Sequence, residues 1–152
     1  MSNALIKKVN TMNPQDIIEL PRTLATDILA HAQQGGEKEI CGLISINHDN
    51  HGEKFHHYPI PNIAKDPQHR YDMEPQGLIA AMRDMRQRNH ELFAIYHSHP
   101  SSPAQPSITD LKEAHYPDAV YLIISLNTKG VVEIRAFRLL GNQSNEIPLV
   151  LY

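Results

Sequence analysis

The sequence predicts a single α/β domain, a mixed twisted β-sheet flanked by helices. Amphipathic segments with helical periodicity alternate with short apolar segments rich in β-branched residues, and turns containing proline or glycine separate them. The length of 152 residues is that of one domain, enough to bury about two-thirds of the chain's surface around one core. No repeat or low-complexity tract interrupts the pattern. We therefore expect one domain over residues 1–152.

The first half of the chain alternates between strands and helices. Leu24, Ile28 and Leu29 recur at helical spacing before Gly35-Gly36, and Pro75 stands where the first turn of a second helix is expected. The expected elements are a strand at 16–20, a helix at 22–33, a strand at 39–47 opening a hairpin that reaches residue 60, a short strand at 70–73 and a helix at 75–88.

The second half is richer in strands. The segment 119–126 is almost entirely apolar, which predicts a strand buried on both faces. Lys129-Gly130 predicts a turn before an alternating strand. The expected elements are a strand at 91–97, a helix at 107–114 and strands at 119–126, 131–139 and 146–151.

The most informative stretch joins the 91–97 strand to the helix after it. His97 and His99 are two residues apart in an extended segment, so their imidazoles project from the same face. Pro100 ends that strand because it lacks an N–H group for the ladder. Ser107 and Asp110, three residues apart, lie on one face of the next helix. The pattern is His-X-His-X7-Ser-X-X-Asp.

This pattern offers two neutral nitrogens and one carboxylate, a ligand set that suits zinc and leaves a fourth position for water. A His-X-His pair alone says little in a chain with ten histidines, whereas the serine and aspartate at fixed offsets make the pattern specific. Ser107 and Asp110 also resemble a capping box, in which both residues only satisfy the helix N-terminus. A capping role and a catalytic role for Ser107 can coexist.

The segment 96–110 resembles the signature of the JAMM zinc metalloproteases, also called MPN-plus domains. The resemblance continues in 39–44, which is similar to the stretch carrying that family's catalytic glutamate, and in 61–64 and 70–73. It covers residues 22–138, nearly the whole chain. It implies the deaminase-like α/β fold of that family.

The resemblance also implies the roles of individual residues. One zinc ion per chain would be held by His97, His99 and Asp110. Glu39 would be the general base that activates water for attack on a peptide or isopeptide carbonyl, and Ser107 would stabilise the oxyanion. Asn62, in a proline-rich loop expected to border the cleft, is a candidate for a substrate hydrogen bond.

Other ionisable residues have less specific patterns. His48, His51, His56 and His57 surround the expected hairpin at spacings that fit no ligand pattern, and we expect them to be solvated. Cys41 is expected to be a small core residue. Gly42, in the middle of a strand, predicts close approach of another backbone or a bulge.

The resemblance to compact bacterial JAMM members implies a substrate class. Their substrates include ubiquitin-like sulfur-carrier proteins with a residue or short peptide attached beyond a C-terminal Gly-Gly. The expected reaction is hydrolysis of the bond after that tail. Two alternatives stay open: an inactive MPN-type scaffold that binds protein partners, and a deubiquitinase that cuts ubiquitin chains.

Composition narrows the partners and the location. The net charge of −3 and the lack of a basic block argue against nucleic acid as the main partner. One cysteine excludes an internal disulfide framework, no apolar segment is long enough to span a bilayer, and Lys7 and Lys8 are not followed by the apolar region of a secretory leader. We therefore expect a cytoplasmic protein without membrane contact, whose oligomeric state the sequence leaves open.

Overall fold

The computed structural model describes residues 16–127 and 131–152. Three helices flank two sheets in this part of the chain. The helices are α1 (Arg22–Gly35), α2 (Pro75–Gln87) and α3 (Ile108–Glu113). The strands are β1 (Ile18–Leu20), β2 (Cys41–Ile46), β3 (Phe55–Ile60), β4 (Glu91–His99), β5 (Val120–Ser125), β6 (Glu133–Leu140), β7 (Gln143–Ile147) and β8 (Leu149–Leu151).

The main sheet has six strands in the order β3-β2-β4-β5-β6-β7. The β4–β5 pair is parallel and is connected through α3, whereas the other neighbours are antiparallel. The strands β1 and β8 form a separate parallel pair. This mixed sheet with flanking helices confirms the predicted fold class.

Each face of the main sheet buries its own apolar cluster. Ile44 and Tyr96 face the cluster that includes Ile28 of α1, and Leu43 and Ile95 face the cluster that includes Met85 of α2. Successive residues of a strand alternate between these two clusters. All six residues of β5 are buried, as the apolar segment 119–126 predicted.

Two element predictions were wrong. The segment 70–73 forms no strand, and only Met73 makes an isolated bridge, to Asn62, because the main chain here bonds within an irregular loop. The single strand predicted at 146–151 is two strands. Pro148 separates them, since it has no N–H group to continue the ladder with β6, and β8 pairs with β1 instead. The turn predicted at Lys129-Gly130 lies outside the described residues.

Gly42 of β2 lies very close to two tyrosines, Tyr58 and Tyr96. A Cβ atom at this position would overlap the Tyr96 hydroxyl group and the carbonyl oxygen of Tyr58. The predicted close approach is therefore confirmed, and it lets the large Tyr96 side chain stay fully buried beside β2.

The hairpin histidines differ from one another. His48 and His56 are paired with Glu91 and Glu53 near the surface, which agrees with the expectation of solvated side chains. His57 does not agree, because its Nε2 atom is buried and burial lowers its pKa. Its ring lies 5.6 Å from that of Tyr96, on the α1 face of the sheet.

In the described part of the chain, no helix has the length and apolar character to cross a membrane.

Candidate metal centre

The two motif histidines occupy the C-terminal end of β4. His97 is fully buried and His99 is 4% exposed, and both lie on the α2 face of the sheet because they alternate with Tyr96 and Ser98. Ser98 ties this end of β4 to the start of β2: its Oγ accepts from Ile40 N at 2.9 Å, and its N–H donates to Ile40 O at 3.0 Å. Sequence reasoning missed Ser98, although its place between two motif histidines was a signal.

The helix α3 brings the carboxylate to the same place. Ser107 is its N-cap, and the full capping box is present: Asp110 N donates to Ser107 Oγ at 3.0 Å, and Ser107 N donates to Asp110 Oδ2 at 2.9 Å. The cap therefore fixes the rotamer of Asp110 as well as the start of the helix.

Three donor atoms converge as a result. His97 Nε2, His99 Nε2 and Asp110 Oδ2 form a triangle whose three sides are each 3.1 Å. A tetrahedral zinc ion with ligands at about 2.0–2.1 Å would separate its ligand atoms by about 3.3–3.4 Å. The donor set and its spacing therefore fit a zinc ion with only small adjustments.

The tautomer of His99 also suits a ligand. Its Nδ1 lies 2.8 Å from the Pro103 carbonyl oxygen, which can only accept, so Nδ1 carries the proton and Nε2 of the neutral ring is left with a lone pair. His97 is held differently. Its Nδ1 has no hydrogen-bond partner among the described residues, and its ring packs against the ring of Tyr71, with centroids 4.5 Å apart.

The charges of this group favour a bound cation. Burial lowers the pKa of His97 and so favours the neutral ring. Burial alone would raise the pKa of Asp110, but the adjacent His97 and His99 and the hydrogen bond from Ser107 N–H hold it well below its usual range. The result is an ionised carboxylate in an apolar environment, which is stable only beside positive charge.

Glu39 lies just before β2 and faces the same cluster. It is 4% exposed, and its Oε1 has no hydrogen-bond partner within the described residues. Burial raises its pKa to about 8, with Asp110 and Asp66 adding to the effect and His99 opposing it. An acceptor atom of Glu39 lies within 4.8 Å of His97 and His99, so Glu39 and Asp110 are alternative third ligands. We favour Asp110, whose oxygen is only 3.1 Å from each histidine.

Glu39 also separates two cavities. One has a volume of 570 Å³ and lies between the end of α1 and the end of β3, with Ile60 and Pro61 in its wall. The other has a volume of 250 Å³ and is lined by His99 and Ser107. Because both reach Glu39, an extended molecule that crosses this carboxylate has room on either side.

Asn62 lies in the loop 61–74, between β3 and α2. Its Nδ2 donates to Glu39 O at 2.9 Å and to Arg70 O at 3.1 Å, and its Oδ1 accepts from Ala64 N at 3.0 Å and from Asp72 N at 2.9 Å. These four bonds use both amide protons and both carbonyl lone pairs. The substrate hydrogen bond expected from the sequence would have to replace one of them.

Cys41 is next to this site but does not suit a nucleophile. Its side chain is fully buried, and its Sγ donates to Ile60 O at 3.3 Å. Burial raises the pKa of the thiol to about 12, which disfavours the reactive thiolate. The structure agrees with the expectation of a small core residue.

Comparison with known proteins agrees with this geometry. Residues 21–140 match the family model of the prokaryotic homologs of the JAB domain. The chain belongs to this family. The match confirms the resemblance to JAMM domains and covers every residue of the candidate metal centre.

Proteins with sequences similar to this chain have names that describe an activity. A probable TtuB-protein conjugate cleaving protease from Thermus thermophilus is 33% identical over 89% of this chain and 83% of its own length. A CysO-cysteine peptidase from Mycobacterium tuberculosis is 27% identical over 88% of this chain and 90% of its own length. A desampylase from Haloferax volcanii is 32% identical over 64% of this chain and 73% of its own length.

The fold is similar to those of two proteins studied in solution. A protein from Desulfitobacterium hafniense has a TM-score of 0.76 and 32% identity, over 89% of this chain and 92% of its own. A protein from Salinibacter ruber has a TM-score of 0.58 and 25% identity, over 89% of this chain and 91% of its own.

The metal centre can be tested by substitution. We expect purified protein to bind about one divalent metal ion per chain, and His97→Ala, His99→Ala and Asp110→Ala each to lose it, because each removes one of three ligands. Elemental analysis after gel filtration measures the content. The matched control is His51→Ala, an exposed histidine of the hairpin, which should keep the metal. Retention of metal in all three ligand variants would contradict the site.

Proposed function

We propose that this protein is a zinc metalloprotease that hydrolyses the bond after the C-terminal Gly-Gly of a ubiquitin-like sulfur-carrier protein. The observation that carries the proposal is the convergence of His97, His99 and Asp110 beside the buried carboxylate of Glu39, whose Oε1 has no hydrogen-bond partner among the described residues. The names of relatives that cover most of this chain, a conjugate-cleaving protease and a CysO-cysteine peptidase, support hydrolysis of such bonds.

The chemistry divides between the metal and the chain. When bound, zinc supplies a Lewis acid that polarises a carbonyl and lowers the pKa of water to about 7. Glu39 takes the proton from the attacking water and gives it to the leaving amine, the two tasks of a general acid–base residue. Its buried position suits both, because a raised pKa brings the ionised and protonated forms of the carboxyl group close in free energy near neutral pH.

Ser107 can stabilise the developing oxyanion without giving up its cap. The capping bond from Asp110 N uses a lone pair of Ser107 Oγ, so the hydroxyl proton remains available for donation. Ser107 lines the same cavity as His99 and Glu39, the region in which the reacting carbonyl would lie. We therefore assign Ser107 both roles.

Features of the chain near the site support a slender substrate tail. The connection from α3 to β5 spans only 114–119, which leaves little chain to position a second ubiquitin. The proposed metal ligands are deeply buried, so the substrate backbone must approach them closely, as glycines allow. The favoured substrate is a sulfur carrier extended beyond Gly-Gly by a residue or short peptide, rather than a ubiquitin chain.

An inactive scaffold is the alternative function. Scaffolds of the MPN type lack part of the ligand set, whereas this chain has Glu39, Ser107 and three converging ligands. A buried ionised cluster with no chemical task would only cost stability. The complete set therefore favours the enzyme.

A substitution of Glu39 separates a general base from a ligand. We expect Glu39→Gln to keep its zinc and its fold but to lose about two to four orders of magnitude in turnover, because the amide cannot accept the proton. Elemental analysis and steady-state kinetics measure the two effects. Loss of zinc in this variant would make Glu39 a ligand and would contradict the mechanism.

A substitution of Ser107 separates its two roles. We expect Ser107→Ala to lower the free energy of unfolding by about 1 kcal/mol through loss of the cap, and turnover by about two orders of magnitude through loss of the oxyanion donor. Ser107→Thr keeps a hydroxyl group and is the matched control. Full turnover in Ser107→Ala, together with a lower melting temperature, would leave Ser107 with the cap alone.

The substrate class is tested by a parallel comparison of two substrates. Zinc-loaded protein is incubated with a sulfur-carrier protein extended past Gly-Gly and, separately, with ubiquitin dimers, and intact mass spectrometry follows both. We expect the extension to be removed and the dimers to be cut slowly or not at all, while Glu39→Gln leaves both intact. Efficient cleavage of dimers with the carrier untouched would overturn the substrate class and leave the metalloprotease assignment standing.

A further inference from the structure

The loop 61–74 holds the main chain of Glu39 on both sides. Glu39 precedes β2 and is outside the β-ladder, so its backbone groups need other partners. Its N–H donates to Pro67 O at 2.7 Å, and its carbonyl accepts from Asn62 Nδ2 at 2.9 Å. The position of this residue is therefore set by the loop, and not by the sheet alone.

The same loop also supports His97. The ring of Tyr71 packs on the His97 ring at 4.5 Å between centroids and an angle of 30°. His97 has no Nδ1 partner among the described residues, so packing takes the place of the hydrogen bond that usually orients a metal-binding histidine. Correct placement of Tyr71 therefore matters more here than it would for a histidine held by its second nitrogen.

Asn62 is the point where these two supports meet. One amide proton of its Nδ2 reaches Glu39 O, while the other reaches Arg70 O, next to Tyr71. Its Oδ1 accepts from Asp72 N, on the other side of Tyr71. The partners are carbonyls on the Nδ2 side and N–H groups on the Oδ1 side, so the orientation of the amide is unambiguous.

We propose that Asn62 is a positioning residue, whose side chain fixes Glu39 and the Tyr71–His97 contact relative to each other. This inference rests on the proposed function, since it concerns the placement of the proposed base. Asn62 contacts the backbone of Glu39 and not the reacting atoms, so it acts on turnover only through Glu39 and Tyr71. A displacement of about 1 Å in a catalytic group can reduce turnover about 100-fold.

Two substitutions separate the hydrogen bonds that Asn62 donates from those that it accepts. Asn62→Ala removes all four hydrogen bonds. Asn62→Asp keeps the acceptor for Ala64 N and Asp72 N but faces Glu39 O and Arg70 O with a carboxylate oxygen that cannot donate. The matched control is Asn47→Ala in the hairpin loop, where Asn47 organises its own turn through bonds to His51 O and Asp49 N.

Kinetics, metal analysis and amide hydrogen exchange test the proposal together. We expect both Asn62 variants to keep zinc and to lose about 10- to 100-fold in kcat with KM changed less than about twofold, because the base is displaced while substrate contacts remain. We expect Asn47→Ala to keep its kcat. The Glu39 N–H donates to Pro67 O in the loop that Asn62 holds, so it should exchange faster in both Asn62 variants. The Asp72 N–H donates to Asn62 Oδ1, so it should exchange faster in Asn62→Ala only.

The outcomes separate this inference from the proposed function. Wild-type kcat in Asn62→Ala, or unchanged exchange of the Glu39 N–H, would overturn the positioning role. The same loss of kcat in Asn47→Ala would also overturn it, because general loosening of the fold would then explain the effect. If the wild-type protein cleaves no Gly-Gly extension, the proposed function fails, and the exchange rates still decide whether Asn62 fixes Glu39.

Discussion

The site depends on a single carboxylate oxygen, Asp110 Oδ2. It lies 3.1 Å from each histidine nitrogen and 2.9 Å from Ser107 N, so the helix cap and the proposed metal site share one atom. Because α3 has only six residues, a short helix of this kind would be marginal without its cap. Ser107, which begins the helix, therefore also orients the side chain of Asp110. The connection from β4 to α3 can then be short.

This arrangement brings several buried ionisable side chains together at one site, and burying such groups is unfavourable. Glu39, His97, His99 and Asp110 are all buried, although burial of charge without compensation is costly. Glu39 Oε1 has no hydrogen-bond partner among the described residues, and three acceptor atoms converge beside it, so the proposed cation would relieve both. We therefore expect the metal to contribute to stability as well as to chemistry, through its preferential binding to the folded state.

The sheet supplies only part of the precision that the site needs. β4 holds the histidines through its pairing with β2 and β5, and Ser98 joins its end to the start of β2. Glu39 lies beyond that pairing and depends on the loop 61–74. Irregular loops are usually the mobile part of a domain, but here Asn62 makes three hydrogen bonds within the loop, and Arg70 pairs with Glu113 of α3. The loop is thus held in place and is bonded both to Glu39 and to α3, the helix that carries Asp110.

The sequence by itself determined the fold class, nearly all elements and the family, because apolar periodicity and the spacing of His97, His99, Ser107 and Asp110 are local properties of the chain. It did not separate β7 from β8, whose division depends on which strand each can pair with on either side of Pro148. Nor did it give the burial of His57.

Only the tertiary structure decided which residues Asn62, Tyr71 and Ser98 contact, because their partners Glu39, His97 and Ile40 lie 23, 26 and 58 residues away along the chain. Contacts of that range leave no periodic signal in a single sequence. They follow from the packing of a loop and two strands around one cluster.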